Sequence, residues 1–142
     1  MVRRRHDGRG SDDRPTVRGG ARVNIALVLL GGMLGAPVRY LIDRAVTARI
    51  DSPLPLGTLT VNIVGSAVLG GLIGASANGW LLTAAGTGFC GALTTFSTFG
   101  YETIRLVTDG AYGYALGNVV ISVAASVGAV YAAVSLTNWV TP

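Results

Sequence analysis

Read along its length, the chain divides into a polar head and four apolar runs. Residues 1–22 show no hydrophobic period; Arg3, Arg4, Arg5, Arg9, Arg14, Arg18 and Arg22 alternate there with Asp, Gly and Ser. Apolar runs then cover about 23–42, 57–76, 80–108 and 113–139, with short stretches containing Asp, Asn, Gly or Pro between them. Each run approaches or exceeds the ~20 residues that a helix needs to cross a bilayer. The pattern predicts an all-α membrane protein: a disordered Arg-rich tail over 1–22, then one four-helix transmembrane domain over 23–140.

The third run differs from the others. It contains Gly-Thr-Gly-Phe-Cys-Gly-Ala-Leu-Thr-Thr-Phe-Ser-Thr-Phe-Gly-Tyr-Glu over 86–102, within a stretch from Ser52 to Tyr101 that carries no charge. Gly86, Gly88 and Gly91 precede a crowd of hydroxyls at Thr94, Thr95, Ser97 and Thr98. Glycines weaken a helix, and hydroxyls offer its backbone other partners. The third helix is therefore expected to break at mid-membrane, its first half ending near Gly91 and its second beginning near Thr94–Thr95. Broken backbone is tolerated in a bilayer only where protein buries it or a polar cavity runs past it, and in transporters such breaks hold ions.

Composition narrows the function classes. Of 142 residues half are apolar and 13% charged, about half the charge of a soluble domain. The one Cys, Cys90, allows no internal disulfide. The one His, His6, lies in the tail, so the apolar part has neither a His/Cys metal cluster nor a Ser-His pair, and an enzyme is not expected. The basic tail has no interleaved aromatics with which to stack on bases, which favours an anchor on anionic lipid over a nucleic-acid arm. A signal peptide does not fit either, because the apolar run continues to Ile42 without a convincing cleavage site.

Several polar residues in the apolar runs have two readings each. Arg39, near the end of the first run, either snorkels to the interface or stands at a pore mouth. Asn62, deep in the second, is interhelical glue or an amide facing an ion path. Phe96 and Phe99 share a face; they are packing surface, or they turn their electropositive ring edges to a small anion. Glu102 and Arg105 stand three apart, a spacing at which they pair. Tyr114, Asn118, Ser122 and Ser126 recur every four residues, a stripe that serves helix packing or a narrow wet path. Gly31 and Gly35 form a small-xxx-small pair for close helix approach, and Asn78-Gly79 reads as a tight turn.

These residues resemble the Fluc/CrcB family of fluoride channels. The resemblance covers about 25–138 and rests on Gly-Gly-Met-Leu-Gly-Ala-Pro-Val-Arg-Tyr (31–40), Gly-Thr-Leu-Thr-Val-Asn-Ile-Val-Gly-Ser (57–66) and Gly-Phe-Cys-Gly-Ala-Leu-Thr-Thr-Phe-Ser-Thr-Phe (88–99). It implies a passive channel that exports fluoride across a bacterial inner membrane and lowers its cytoplasmic concentration. It implies two subunits in opposite orientations, the second being another copy or a related chain. By similarity, Phe96, Phe99, Asn62, Thr95, Ser97, Thr98, Ser122 and Tyr114 line the fluoride path, and Arg39 sits in a vestibule. A structural Na+ at the dimer centre would be held by the backbone carbonyls of Gly91 and Thr94. Ala92 stands where the family often has a second glycine.

Two other classes compete. A small multidrug-type exchanger is also a dual-topology four-helix protein, but it needs a membrane carboxylate, and 23–42 has none. A non-conducting assembly subunit is compatible with the composition.

Overall fold

The computed structural model of the chain describes residues 16–140. Every regular element in it is helical: α1 (Thr16–Thr47), α2 (Leu56–Gly74), α3 (Gly79–Leu81), a π-helical segment (Leu82–Cys90), α4 (Gly91–Leu93), α5 (Ser97–Thr108) and α6 (Tyr112–Val140). α3, the π-helical segment and α4 follow one another without interruption and form one rod. Three helical stretches, Gly20–Thr47, Leu56–Gly74 and Tyr112–Val140, are long and apolar enough to cross a membrane. The rod is cut before it reaches that length, because regular helix stops at Leu93 and resumes only at Ser97.

The expected boundaries shift in four places. α1 starts at Thr16 rather than near residue 23. Once an apolar stretch has nucleated a helix, each further residue adds a hydrogen bond, so the helix runs on into polar sequence. Residues 16–22 are therefore helical, not disordered, and the rest of the expected tail lies outside the described residues. The break falls over 94–96, about two residues later than the sequence suggested at its start. The widened π-helical turns were not anticipated; such turns are rare and frequently stand at functional sites. Finally, the turn after α2 is not at Asn78-Gly79. Ala77 N–H bonds Leu72 O and Ser76 N–H bonds Ile73 O, with Ser76 in the left-handed region at φ 49°. That is a helix C-terminal cap with serine where glycine is usual, and Gly79 instead opens α3.

Small residues decide which helices touch. α1 packs mainly on the π-helical segment, and α2 mainly on α6. A Cβ at Gly31 would run into the carbonyl oxygen of Ala84, and one at Gly35 into that of Phe89. Gly88 faces back onto Val28, where a Cβ would come within 2.7 Å of its carbonyl oxygen. Gly70 and Gly74 also bring α2 close to α6, to Val130 and to Val134 and Thr137. Contact at this distance maximises dispersion, which drives helix association where lipid tails are as apolar as the helices. The Gly31/Gly35 pair thus serves the close approach its spacing indicated.

Candidate functional site

The site is built around the break. Thr94 is extended (φ −77°, ψ 159°) and ends the rod, and both its N–H and its hydroxyl bond the Cys90 carbonyl, at 2.9 and 3.0 Å. In a continuous helix, Thr95 N–H would go to the Gly91 carbonyl. Here it goes to Oδ1 of Asn62 on α2, at 2.8 Å, and Asn62 Nδ2 donates to Thr95 O at 3.2 Å. One side-chain amide therefore pairs with both polar groups of one backbone residue and holds the break open. Thr98 N–H, which would otherwise serve the Thr94 carbonyl, goes instead to Thr95 Oγ1 at 3.2 Å. Thr95 thereby caps the N-terminus of α5, a role that threonine fills well. The carbonyl oxygens of Gly91 and Thr94 have both lost the donors that a helix would give them.

Thr95 also gathers the other hydroxyls. Its Oγ1 donates to Thr98 Oγ1 at 3.1 Å, and Ser97 Oγ lies 3.4 Å away. The rings of Phe96 and Phe99 lie side by side, with centroids 5.9 Å apart and planes tilted by 46°. Phe96 is 83% exposed, an unusual position for the larger part of an aromatic surface.

A groove of about 490 Å³ runs along the break. Asn62, Thr94, Thr95, Gly91, Phe96, Phe99 and Ser122 all line it, joined by Ser66, Cys90 and Ser126. The structure thus brings together residues from α2, the rod, α5 and α6 that the sequence could only name separately. Ser97 and Thr98 stand behind Thr95, outside the groove lining. Tyr114 is not brought to the groove; it lines a separate recess with Gly110–Gly113 at the start of α6. Arg39 is half-buried on α1, also outside the groove.

One expected pair is not made. Arg105 does not pair with Glu102; its Nε lies 3.8 Å from Asp109 Oδ2, and both side chains are mostly exposed. Glu102 is half-buried on α5, and its Oε2 is buried without a hydrogen bond to any described group, as is Oγ1 of Thr58, a residue only 3% exposed. Glu102 and Arg105 line a second cavity of about 460 Å³, closed by the 1–2 loop from Ser52 to Pro55 and by Asp109 and Ala111. Sequence reading missed Thr58. The signal available was a hydroxyl one turn before Asn62 on an apolar helix, with a second, Thr60, between them.

A second polar cluster joins α5 to α6. Asn118, 4% exposed, donates from Nδ2 to Thr103 Oγ1 at 2.8 Å; Thr103 donates to Phe99 O at 2.7 Å. Ser122, 6% exposed, donates to Asn118 Oδ1 at 3.4 Å.

Residues 26–134 match the family described as CrcB-like protein, Camphor Resistance (CrcB). A protein of Streptomyces avermitilis named fluoride-specific ion channel FluC 1 is 50% identical over 116 residues, which cover 79% of this chain and 94% of the relative. A protein of the same name from Frankia casuarinae is 48% identical over 116 residues, covering 75% and 90%. The fluoride-specific ion channel FluC of Methanocaldococcus jannaschii is 48% identical over 103 residues, covering 70% and 82%. With a match over most of its length and helices fit to cross a bilayer, this chain is a multi-pass membrane protein of the CrcB-like family.

Proposed function

We propose that the chain is a subunit of a fluoride-selective passive channel that lowers cytoplasmic fluoride in a bacterial inner membrane. The observation that carries this reading is the groove: it sets Phe96 and Phe99 beside Asn62, Thr95 and Ser122 in an otherwise apolar wall. Fluoride is small and strongly hydrated, so its path must replace water with hydrogen-bond donors or with the positive edges of aromatic rings. Thr95 spends its proton on Thr98 Oγ1, which leaves the Thr98 hydroxyl proton free to be donated further along a track that includes Ser97. Tyr114, in its separate recess, is not part of this reading, and Arg39 is assigned to a vestibule beyond the groove. Relatives of up to 50% identity that carry the fluoride-channel name support the same function, and nothing favours an exchanger or a silent assembly subunit.

The rod, the break and α5 together form the third of four membrane passes in this reading. The exposed ring of Phe96 supports a second subunit that covers it, in the opposite orientation. A Na+ at the subunit interface fits the donor set, because the Gly91 and Thr94 carbonyls have lost their helical N–H partners to Asn62 and Thr95. Neutral carbonyls suit a monovalent ion; hard divalent cations seek several charged oxygens.

The test is anion efflux from proteoliposomes loaded with fluoride or chloride. Fluoride efflux without chloride efflux is expected. Equal efflux of both would remove the selectivity, and no efflux of either would leave an assembly subunit.

A further inference from the structure

The bonds between α5 and α6 have a forced direction. The Phe99 carbonyl can only accept, so Thr103 must give it its single hydroxyl proton. Thr103 Oγ1 can then only accept from Asn118, which fixes the NH2 of Asn118 towards Thr103. Asn118 Oδ1 is thereby turned to Ser122, and since it is an acceptor, the Ser122 hydroxyl must be the donor. One backbone carbonyl thus orients three side chains on two helices. The consequence lies in the groove, which Ser122 lines. While the chain is intact, the Ser122 proton points at Asn118, away from the groove. The last bond is long, 3.4 Å, and is the weakest link in the series.

We propose that Asn118 is a positioning residue that competes with the permeating anion for the Ser122 proton. The inference rests on the fluoride reading above. An anion in the groove draws the Ser122 hydroxyl from Asn118 Oδ1 to itself, and the hydroxyl returns when the anion leaves. No bond other than this hydrogen bond is exchanged. Asn118 itself stays behind Ser122, held by Thr103.

Thr103→Val tests this from the far end of the chain. Without the Thr103 acceptor, the Asn118 amide is free to turn its NH2 to Ser122, which then accepts and has its proton available. Asn118→Leu removes the competitor outright. Both variants should lower the fluoride concentration for half-maximal flux by about threefold, the size of one weak hydrogen bond. Thr103→Ser keeps the hydroxyl and should behave as wild type, and in a Ser122→Ala background neither substitution should shift the half-saturating concentration. Damage to packing alone lowers maximal flux and leaves half-saturation where it was. That outcome, or a shift that persists without Ser122, overturns the proposal. The direction of the bonded series is read independently of transport from the proton shifts of the 15N-labelled Asn118 side-chain amide. These should coincide in wild type and Thr103→Ser, where the acceptor is a residue-103 hydroxyl, and differ in Thr103→Val, where the acceptor is Ser122; identical shifts in all three overturn the series itself. A wild-type protein that carries no fluoride but shows this shift pattern overturns the fluoride reading and leaves the bonded series standing.

Discussion

Asn62 carries two functions in one side chain. As an amide it must be bonded wherever water is excluded, and both of its polar atoms are bonded to Thr95. Those bonds take the Thr95 N–H away from the Gly91 carbonyl, so the same contact that satisfies the amide also keeps the break open. Asn62→Ala frees the Thr95 N–H to return to Gly91 O and is expected to lower thermal stability, by about 1–3 kcal/mol, together with fluoride flux. Full flux with only a lower melting temperature would make Asn62 helix glue and nothing more. Phe96→Ile and Phe99→Ile make the complementary case. Isoleucine is apolar but has no ring quadrupole. Either substitution should cut fluoride flux while chromatography shows assembly unchanged; wild-type flux in both would remove the rings from the path.

At the scale of elements, the contrast between two glycines is informative. Gly31 is buried against the Ala84 carbonyl, where a Cβ has no room, whereas nothing stands within 4 Å of a Cβ at Gly91. Gly91 also has ordinary helical torsions (φ −62°, ψ −34°), so its own backbone does not require glycine. Gly31→Ala should push α1 off the π-helical segment at a cost of about 1–3 kcal/mol, seen as a lower melting temperature of the purified protein. Gly91→Ala should leave the fold of the single chain intact. Loss of assembly in Gly91→Ala would then report a second copy crossing at the break, while unaltered assembly would place that copy elsewhere. Ala92 likewise sits inside α4 as an ordinary helical residue.

For the whole molecule the open question is how the chain inserts. Short loops rich in Arg stay on the cytoplasmic side. The 1–2 loop and the end of α5 close one cavity together and so share one end of the bundle, which carries Arg44, Arg49 and Arg105. The turn at 75–78 and the C-terminal end carry no arginine, and Arg14, Arg18 and Arg22 are the near arginines of the N-terminal side. With Arg39, inside α1, left out of the loop count, three against three suits a chain that inserts both ways, as an antiparallel homodimer requires; Arg3, Arg4, Arg5 and Arg9 tip the full chain towards N-terminus inside. A C-terminal topology reporter should therefore show near-equal orientations for a chain starting near Arg14 and an N-inside excess for the full chain. An unchanged ratio after deletion of residues 1–13 would make the distal arginines irrelevant to insertion.

The all-helical class, three membrane-length helices, the interruption of the third run and the family were all legible in the sequence. Each depends on a local or periodic property: hydropathy over some 20 residues, glycine and hydroxyl clustering, or a short ordered motif. Phe96, Phe99, Thr95 and Thr98 could be named for the same reason, since they stand within five positions of one another. The structure alone decided what depends on residues far apart in the chain. Asn62 lies 33 positions from the backbone group it clamps. Asn118, read only as one member of a stripe, gains its role from a hydroxyl 15 positions away on another helix. Tyr114 shares that stripe by spacing yet faces a different recess, and Glu102 leaves its helical neighbour Arg105 to Asp109. A helix face fixes which residues align along one rod, but the close approach of Gly31, Gly35, Gly70 and Gly74 to other backbones sets which rods meet, and so which polar atoms find each other.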